Sequence, residues 1–137
     1  MNPMLAQNPY AQYQLAQIET APREQLLLML YDGAIRFANV AKKGIEDKDF
    51  EVTNTHCMKV QNILTELMVT LDMAVGGELA QNLFDLYDYM KRRTMEANFQ
   101  KDPQALDEIL MHLKELRMAW AQAAKNVGAL KASQATA

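Results

Sequence analysis

The chain has 137 residues, half of them hydrophobic and 23% charged, with a formal net charge of −3. That suits one globular domain with a modest core, and the slightly acidic balance gives no reason to expect nucleic acid, whose binders usually present a basic surface. Five glycines and four prolines, most of them at segment ends, favour long uninterrupted helices over a sheet with many turns.

A single cysteine cannot form an internal disulfide, which points to a reducing compartment. No basic stretch followed by an apolar core opens the chain, so no secretory leader is expected. The longest strongly apolar run, Leu26 to Tyr31, is far too short to span a bilayer. The expected location is the cytoplasm, without stable membrane insertion. Ten methionines are many for this length. Methionine fills irregular core gaps, and it also suits surfaces that accept variable partners.

Residues 1–19 are polar, rich in Gln and Ala, and hold two prolines that keep the start extended. They are predicted to form a mobile N-terminal arm that Tyr10 and Tyr13 can anchor on the domain; the plainer reading is a disordered tail without a role. Thr20-Ala21-Pro22 opens the first helix, with proline in the first turn where its missing N–H costs nothing. That helix is predicted over residues 22–43, with a seam of Leu27, Leu30, Ala34, Phe37 and Ala41. Gly44 and the polar Glu46-Asp47-Lys48-Asp49 form the first connection.

The second helix is predicted over 50–73, where Cys57, Val60, Leu64, Leu67 and Leu71 repeat at three and four. Cys57 lies on that seam, so it reads as a small buried apolar residue rather than a reactive thiol. Gly76-Gly77 permits a sharp turn into a third helix over 78–100. Its seam is Leu83, Tyr87, Met90, Thr94 and Ala97. Leu79, Phe84, Leu86 and Tyr89 fall off that seam, so the helix has more apolar surface than a bundle needs. Asp102-Pro103 caps and starts a fourth helix over 103–127, with a seam running Leu106, Ile109, Leu113, Leu116, Trp120, Ala123, Val127. Gly128 is a natural stop, and residues 128–137 read as a flexible tail. Short connections make sequence neighbours antiparallel. The predicted fold is all-α, an up-down-up-down four-helix bundle of residues 20–127.

Chemistry finds little support in the residues. A di-iron bundle needs Glu-x-x-His pairs, and none is present. Glu108 and His112 are four apart but have no matching pair, and His56 stands alone; no metal or cofactor is expected. His56 precedes Cys57, yet adjacent helix positions point about 100° apart and seldom meet, so no catalytic pair is read there. Glycine-rich nucleotide motifs are absent. Lys91-Arg92-Arg93 spreads around its helix, as a solvated face with ion pairs to Asp85, Asp88 or Glu96 would, or as contacts to an acidic partner. A small bundle with surplus apolar surface and a tethered arm suits a binding module. A partner segment could lie in a groove between two helices, and the arm could cover that groove when it is empty.

Several stretches carry a family likeness. They are Leu30-Tyr31-Asp32-Gly33-Ala34-Ile35, Leu71-Asp72, Gly76-Gly77-Glu78-Leu79-Ala80-Gln81-Asn82-Leu83, Leu86-Tyr87-Asp88-Tyr89-Met90, Arg92-Arg93 and Ala97-Asn98. With Asn8-Pro9-Tyr10-Ala11-Gln12-Tyr13 at the start and Leu116-Arg117 before Trp120, they resemble the flagellar export chaperone family FliS. The likeness spans residue 8 to about 125. Two departures stand out: Ala-Pro-Arg-Glu opens the first helix where the family more often has Ser-Pro-Glu-Glu, and Met1 to Gln7 are extra.

The resemblance implies a cytosolic antiparallel helical bundle that binds the disordered C-terminal segment of flagellin. Such a chaperone holds its client unpolymerised and assists delivery to the flagellar type III export gate. On that basis the partner-binding residues are expected among Tyr31, Asp32, Ile35, Leu67, Leu71, Leu83, Leu86, Tyr87 and Met90, which combine groove lining with core packing. Leu67, Leu71 and Leu83 also fit a pure core role. Tyr10 and Tyr13 are expected to compete with the client or to contact the gate, and Arg92 and Arg93 to make polar contacts with the client. A monomer or weak dimer fits this reading. The alternative is a generic helical adaptor that acts through dimerisation.

Overall fold

The computed structural model of the chain describes the backbone of residues 23–136 and the side chains of residues 23–126. Four helices fill this span: α1 (Arg23–Glu46), α2 (Phe50–Thr70), α3 (Met73–Gln100) and α4 (Pro103–Thr136). They form an all-α, antiparallel up-down-up-down bundle in which each helix packs against its neighbours in the order α1, α2, α3, α4 and back to α1. The expected arm, its Tyr10 and Tyr13, and the expected cap over residues 20–22 lie outside the described residues.

Polar contacts fix the antiparallel register. At one end Thr53 Oγ1 at the start of α2 donates to the Ala41 carbonyl near the end of α1, at 3.1 Å. At the other end the Arg23 guanidinium at the start of α1 donates to the Thr70 carbonyl at the end of α2, at 2.6 Å. Lys101 after α3 reaches back to Asn54 of α2 at 2.6 Å. Lys42 of α1 pairs with Asp107 of α4 at 2.7 Å. The α3–α4 contact is the sparsest of the ring, and Glu108 bridges it, accepting from the Tyr89 hydroxyl at 2.9 Å and from Arg93 Nε at 3.3 Å.

Several boundaries differ from the sequence expectation. α1 passes through Gly44 to Glu46, because Gly44 is a packing position and not a linker. A Cβ there would stand 2.6 Å from Thr53 Oγ1 and 2.9 Å from the Asp49 carbonyl oxygen. The turn after α1 is a Schellman motif on a lysine. Lys48 takes φ 57°, its N–H bonds the Ile45 carbonyl at 3.1 Å, and the Asp49 N–H bonds the Gly44 carbonyl at 2.8 Å. α2 ends at Thr70 rather than residue 73. Leu71 is extended (φ −70°, ψ 131°), and Asp72 caps the next helix by accepting from the Val75 N–H at 3.0 Å.

The glycine pair lies within α3 as a kink. Gly77 at φ 54° and ψ −128° separates a leading turn from the main rod, a backbone state that only glycine enters without strain. α4 does not stop at Gly128, the expected end, but continues to Thr136. One interior glycine costs only about 1 kcal/mol relative to alanine, and the good helix formers Ala129, Leu130, Lys131 and Ala132 follow it.

Candidate functional site

The end of the bundle where α1 begins and α2 ends is not closed. A cavity of about 300 Å³ opens there, walled chiefly by Leu27, Leu71, Leu79, Leu83, Tyr87 and Trp120, with Val75 and Gly76 of the α3 leading turn beside them. The Leu71–Asp72 connection and the Gly77 kink let that leading turn leave the line of the main rod, so that among the described residues no further element covers the apolar side chains around it. Val75 is 86% exposed and Leu79 66% exposed. The polar lining residues are Arg23, Glu24, Thr70 and Asp72.

Beneath the cavity stands a cluster of aromatic groups. The hydroxyls of Tyr31 on α1 and Tyr87 on α3 are hydrogen-bonded to each other across the bundle, and Trp120 of α4 lines the cavity together with Tyr87. The two tyrosines are 0% and 1% exposed. Burial drives both phenols well above the ordinary value, the largest influence on each. The bond between them adds to the rise at Tyr31 and eases Tyr87 back, and either hydroxyl can be the donor.

Among the described residues, the apolar ones expected at the partner site fall into three groups. Leu71, Leu83 and Tyr87 meet at the cavity. Tyr31, Leu67 and Met90 are enclosed in the core, because their seam positions point at the bundle axis; they support the cavity from within and do not line it. Ile35 and Leu86 are half-buried against that core. The polar candidates already have partners inside the chain. Asp32 accepts from the Arg117 guanidinium of α4, Arg92 pairs with Asp88 at 3.2 Å, and Arg93 with Glu96 at 2.9 Å and Glu108 at 3.3 Å.

Leu27, Val75 and Trp120 are cavity residues that were not among the candidates, and neither was Leu79. For Leu79 a signal existed in its position off the α3 seam, next to the glycine pair. Trp120 had one too, as the only large aromatic on the α4 seam. Val75 could be placed only once Gly77 was known to bend a helix rather than end a loop.

Elsewhere, a shallower apolar groove of about 640 Å³ runs between α2 and α3 at the opposite end, with Met58, Met95 and Phe99 on its walls. Cys57 is buried, and burial pushes its thiol up to about 11, so it carries little thiolate at neutral pH. His56 Nδ1 bonds the Val52 carbonyl at 2.8 Å, a local helix contact that turns the ring from the thiol.

Comparison with known proteins shows the family. The family described as flagellar protein FliS matches residues 6–127. The flagellar secretion chaperone FliS of Bacillus subtilis (strain 168) is 40% identical over 120 residues, which is 88% of this chain and 89% of that protein. The FliS of Salmonella typhimurium is 37% identical over 115 residues, 82% of this chain and 85% of its own. That of Campylobacter jejuni is 34% identical over 122 residues, 89% of this chain and 93% of its own. All the stretches that carried the resemblance, from Asn8 to Trp120, fall inside the matched range, and so do the cavity walls. The chain belongs to the FliS family of flagellar secretion chaperones.

Proposed function

We propose that this protein binds the disordered C-terminal segment of flagellin in the cytoplasm, keeps it from polymerising, and assists its delivery to the flagellar type III export gate. The observation that carries the reading is the apolar cavity that the described residues leave open at the Leu71–Gly77 end of a chain in this family. An amphipathic segment that lays its apolar face against Leu71, Leu79, Leu83 and Trp120 would bury surface that the bundle leaves open. The same apolar face in flagellin is then unavailable for helix packing in a filament. Ordering a disordered client costs conformational entropy, so a long contact is needed to bind it while leaving it releasable. Among the described residues no helix is long and apolar enough to cross a membrane.

Residues 1–18, with Tyr10 and Tyr13, precede the α1 terminus at the cavity mouth. In this reading they cover the cavity until the client or the gate displaces them. Their deletion is expected to raise client affinity or impair export while the circular dichroism of the bundle is retained; a truncation that unfolds would sink this part of the reading.

The test of the main reading is calorimetric titration of the full chain with a peptide of the flagellin C-terminal segment. Saturable one-to-one binding with a negative heat-capacity change is expected, the mark of apolar burial on coupled folding. No heat at any temperature from folded protein would overturn it. The dimerising adaptor would then lead, drawing on the Met58–Met95–Phe99 groove, where Phe99 is 91% exposed. A tight dimer that ignores the peptide would be its signature.

A further inference from the structure

Arg36 of α1 and Lys59 of α2 are both exposed, and both stand over the ring of Phe37. The guanidinium carbon is 5.0 Å and the ammonium nitrogen 5.1 Å from its centroid. Each contact is a cation–π attraction, so one ring holds two positive charges from neighbouring helices at a set spacing. Phe37 is itself half-buried against the core, with the His56 ring 5.9 Å away, and is therefore a firm support. The described residues supply no counter-ion: none of their ion pairs uses Arg36 or Lys59. Asp32, one turn before Arg36, is taken by Arg117. The residues three and four places from Lys59 are Thr55, His56, Asn62 and Ile63, none of them acidic. Like charges pinned on one ring repel each other, and an incoming anion relieves that repulsion. The ring also orders the two long side chains beforehand, which lowers the entropy cost of binding.

We propose that this α1–α2 face docks an acidic segment of a protein other than the client, its carboxylates pairing with Arg36 and Lys59 while a neighbouring apolar side chain rests on Phe37. None of these three residues lines the cavity, so the bundle can hold client and second partner together. A nucleic acid is the poorer occupant. A polyanion needs a long basic track, whereas the net charge here is −3 and the exposed acids Asp32 and Glu66 stand on the same two helices. Arginine beside an aromatic ring is a pairing that protein–protein interfaces favour.

The probe is a short blocked peptide of alternating glutamate and leucine, titrated into the full chain and followed by NMR at the amides of α1 and α2. Saturable shifts around Arg36, Phe37 and Lys59 are expected, and the same peptide with glutamine in place of glutamate should give none. Arg36→Gln and Lys59→Gln should each weaken binding by about two- to five-fold, the usual worth of an exposed ion pair. Phe37→Leu keeps both charges but no longer pins them, and should weaken it to a similar degree. Lys114→Gln, which removes an exposed cation of α4, should leave it unchanged. No saturable shift with the glutamate peptide overturns the proposal, as does a Lys114→Gln effect equal to those of the patch variants. Patch variants that lower the melting temperature but not the affinity also overturn it, since the cations then only cover Phe37. An RNA or DNA oligonucleotide that shifts the same amides at lower concentration assigns the face to nucleic acid and overturns it too. Saturating flagellin C-terminal peptide should not displace the probe; displacement makes the patch part of the client's path and overturns the second partner.

Discussion

Along α1 the buried positions run Leu27, Tyr31, Ala34, Ala38, Ala41, Gly44, from bulky side chains to none. Beyond Ala80, α3 repeats the trend in the same chain direction, as Tyr87, Met90, Thr94, Ala97. The two helices therefore have their small residues at one end of the bundle and their aromatics at the other. Small side chains let backbones approach, and at that end Ala41, Cys57, Ala97, Ala105 and Leu106 are all fully enclosed. At the other end two phenol rings and an indole keep the helices apart, a kink turns α3 aside, and an apolar cavity remains. At one end the core closes on the bundle axis, with the Met58–Phe99 groove on its outer α2–α3 face, and at the other the core stays open. The same seam spacing serves both, and residue size decides between them.

The most direct way to break this contrast is to truncate one leucine at each end. Leu106→Ala at the closed end removes a fully buried side chain, and a loss of about 2–5 kcal/mol is expected in urea unfolding. Leu79→Ala at the open end should change stability by no more than about 0.5 kcal/mol yet weaken the flagellin peptide measurably in calorimetry. Equal stability losses at both sites would mean that the open end is ordinary core.

Two glycines of α1 sharpen the contrast next. A Cβ on Gly44 meets backbone atoms, the Asp49 carbonyl oxygen at 2.9 Å and the Thr53 nitrogen at 3.0 Å. Gly44→Ala should therefore destabilise by about 1–3 kcal/mol, despite the better helix propensity of alanine. A Cβ on Gly33 meets side chains alone, the tip of Ile63 at 3.3 Å, which can shift, and the Phe37 ring at 4.0 Å. Gly33→Ala should be neutral or stabilising by up to about 1 kcal/mol. Thermal melts of the pair decide, and a destabilised Gly33→Ala would refute the distinction.

Much of the closed end was legible in the sequence, because there spacing and burial agree: Ala34, Ala41, Cys57, Val60, Leu64, Ala97, Leu106, Ile109 and Leu113 are seam residues that the bundle encloses. The α1 seam was read slightly off, on Leu30 and Phe37, where the structure buries Tyr31 and Ala38. Periodicity weights an alanine below a neighbouring phenylalanine, whereas packing prefers the alanine where helices meet closely. The open end was harder to read. Leu71, Leu83 and Tyr87 sit on seams and also reach the cavity, so spacing could not separate the two roles. Leu79 and Val75 depend on the direction taken after Gly77, a backbone angle that side-chain patterns do not encode. The Tyr31–Tyr87 bond joins helices that the ring places diagonally, and such pairs leave no local signature.

Titration separates the two ends in a further way. The Cys57 thiol of the closed end is pushed up by burial from 9.0 to about 11. The two phenols of the open end are raised by burial above their ordinary 10.0. An unfolded chain releases these protons first, so it binds fewer than the folded chain and stability falls as pH rises. The contribution of these groups is fully present below about pH 9, declines through about 11 for the thiol, and declines from 10 upward for the phenols. Urea midpoints taken across this range should fall. Cys57→Ala should remove the earlier part of the decline and Tyr31→Phe the later part. A midpoint that is flat into the alkaline range would contradict the burial of all three groups.

The smallest expected effect concerns the two lysines with left-handed backbones, both at the closed end. Lys48 and Lys101 have φ of 57° and 55°, a region that costs a side-chain-bearing residue about 1–2 kcal/mol, whereas glycine enters it freely but loses about 0.5–1 kcal/mol of chain entropy on folding. Lys48 is exposed and makes no hydrogen bond or ion pair through its side chain among the described residues, so Lys48→Gly should stabilise by about 0.5 kcal/mol. Lys101 has the same strain, but its ammonium ties Asn98 to Asn54 at 2.7 and 2.6 Å and stands 5.7 Å from the Phe50 ring. Lys101→Gly relieves the backbone and cuts the α2–α3 tie together, so its gain should vanish or reverse. Parallel urea titrations of the two variants distinguish the cases. If both stabilise alike, the Lys101 contacts contribute nothing, and the closed end is held by its small apolar residues alone.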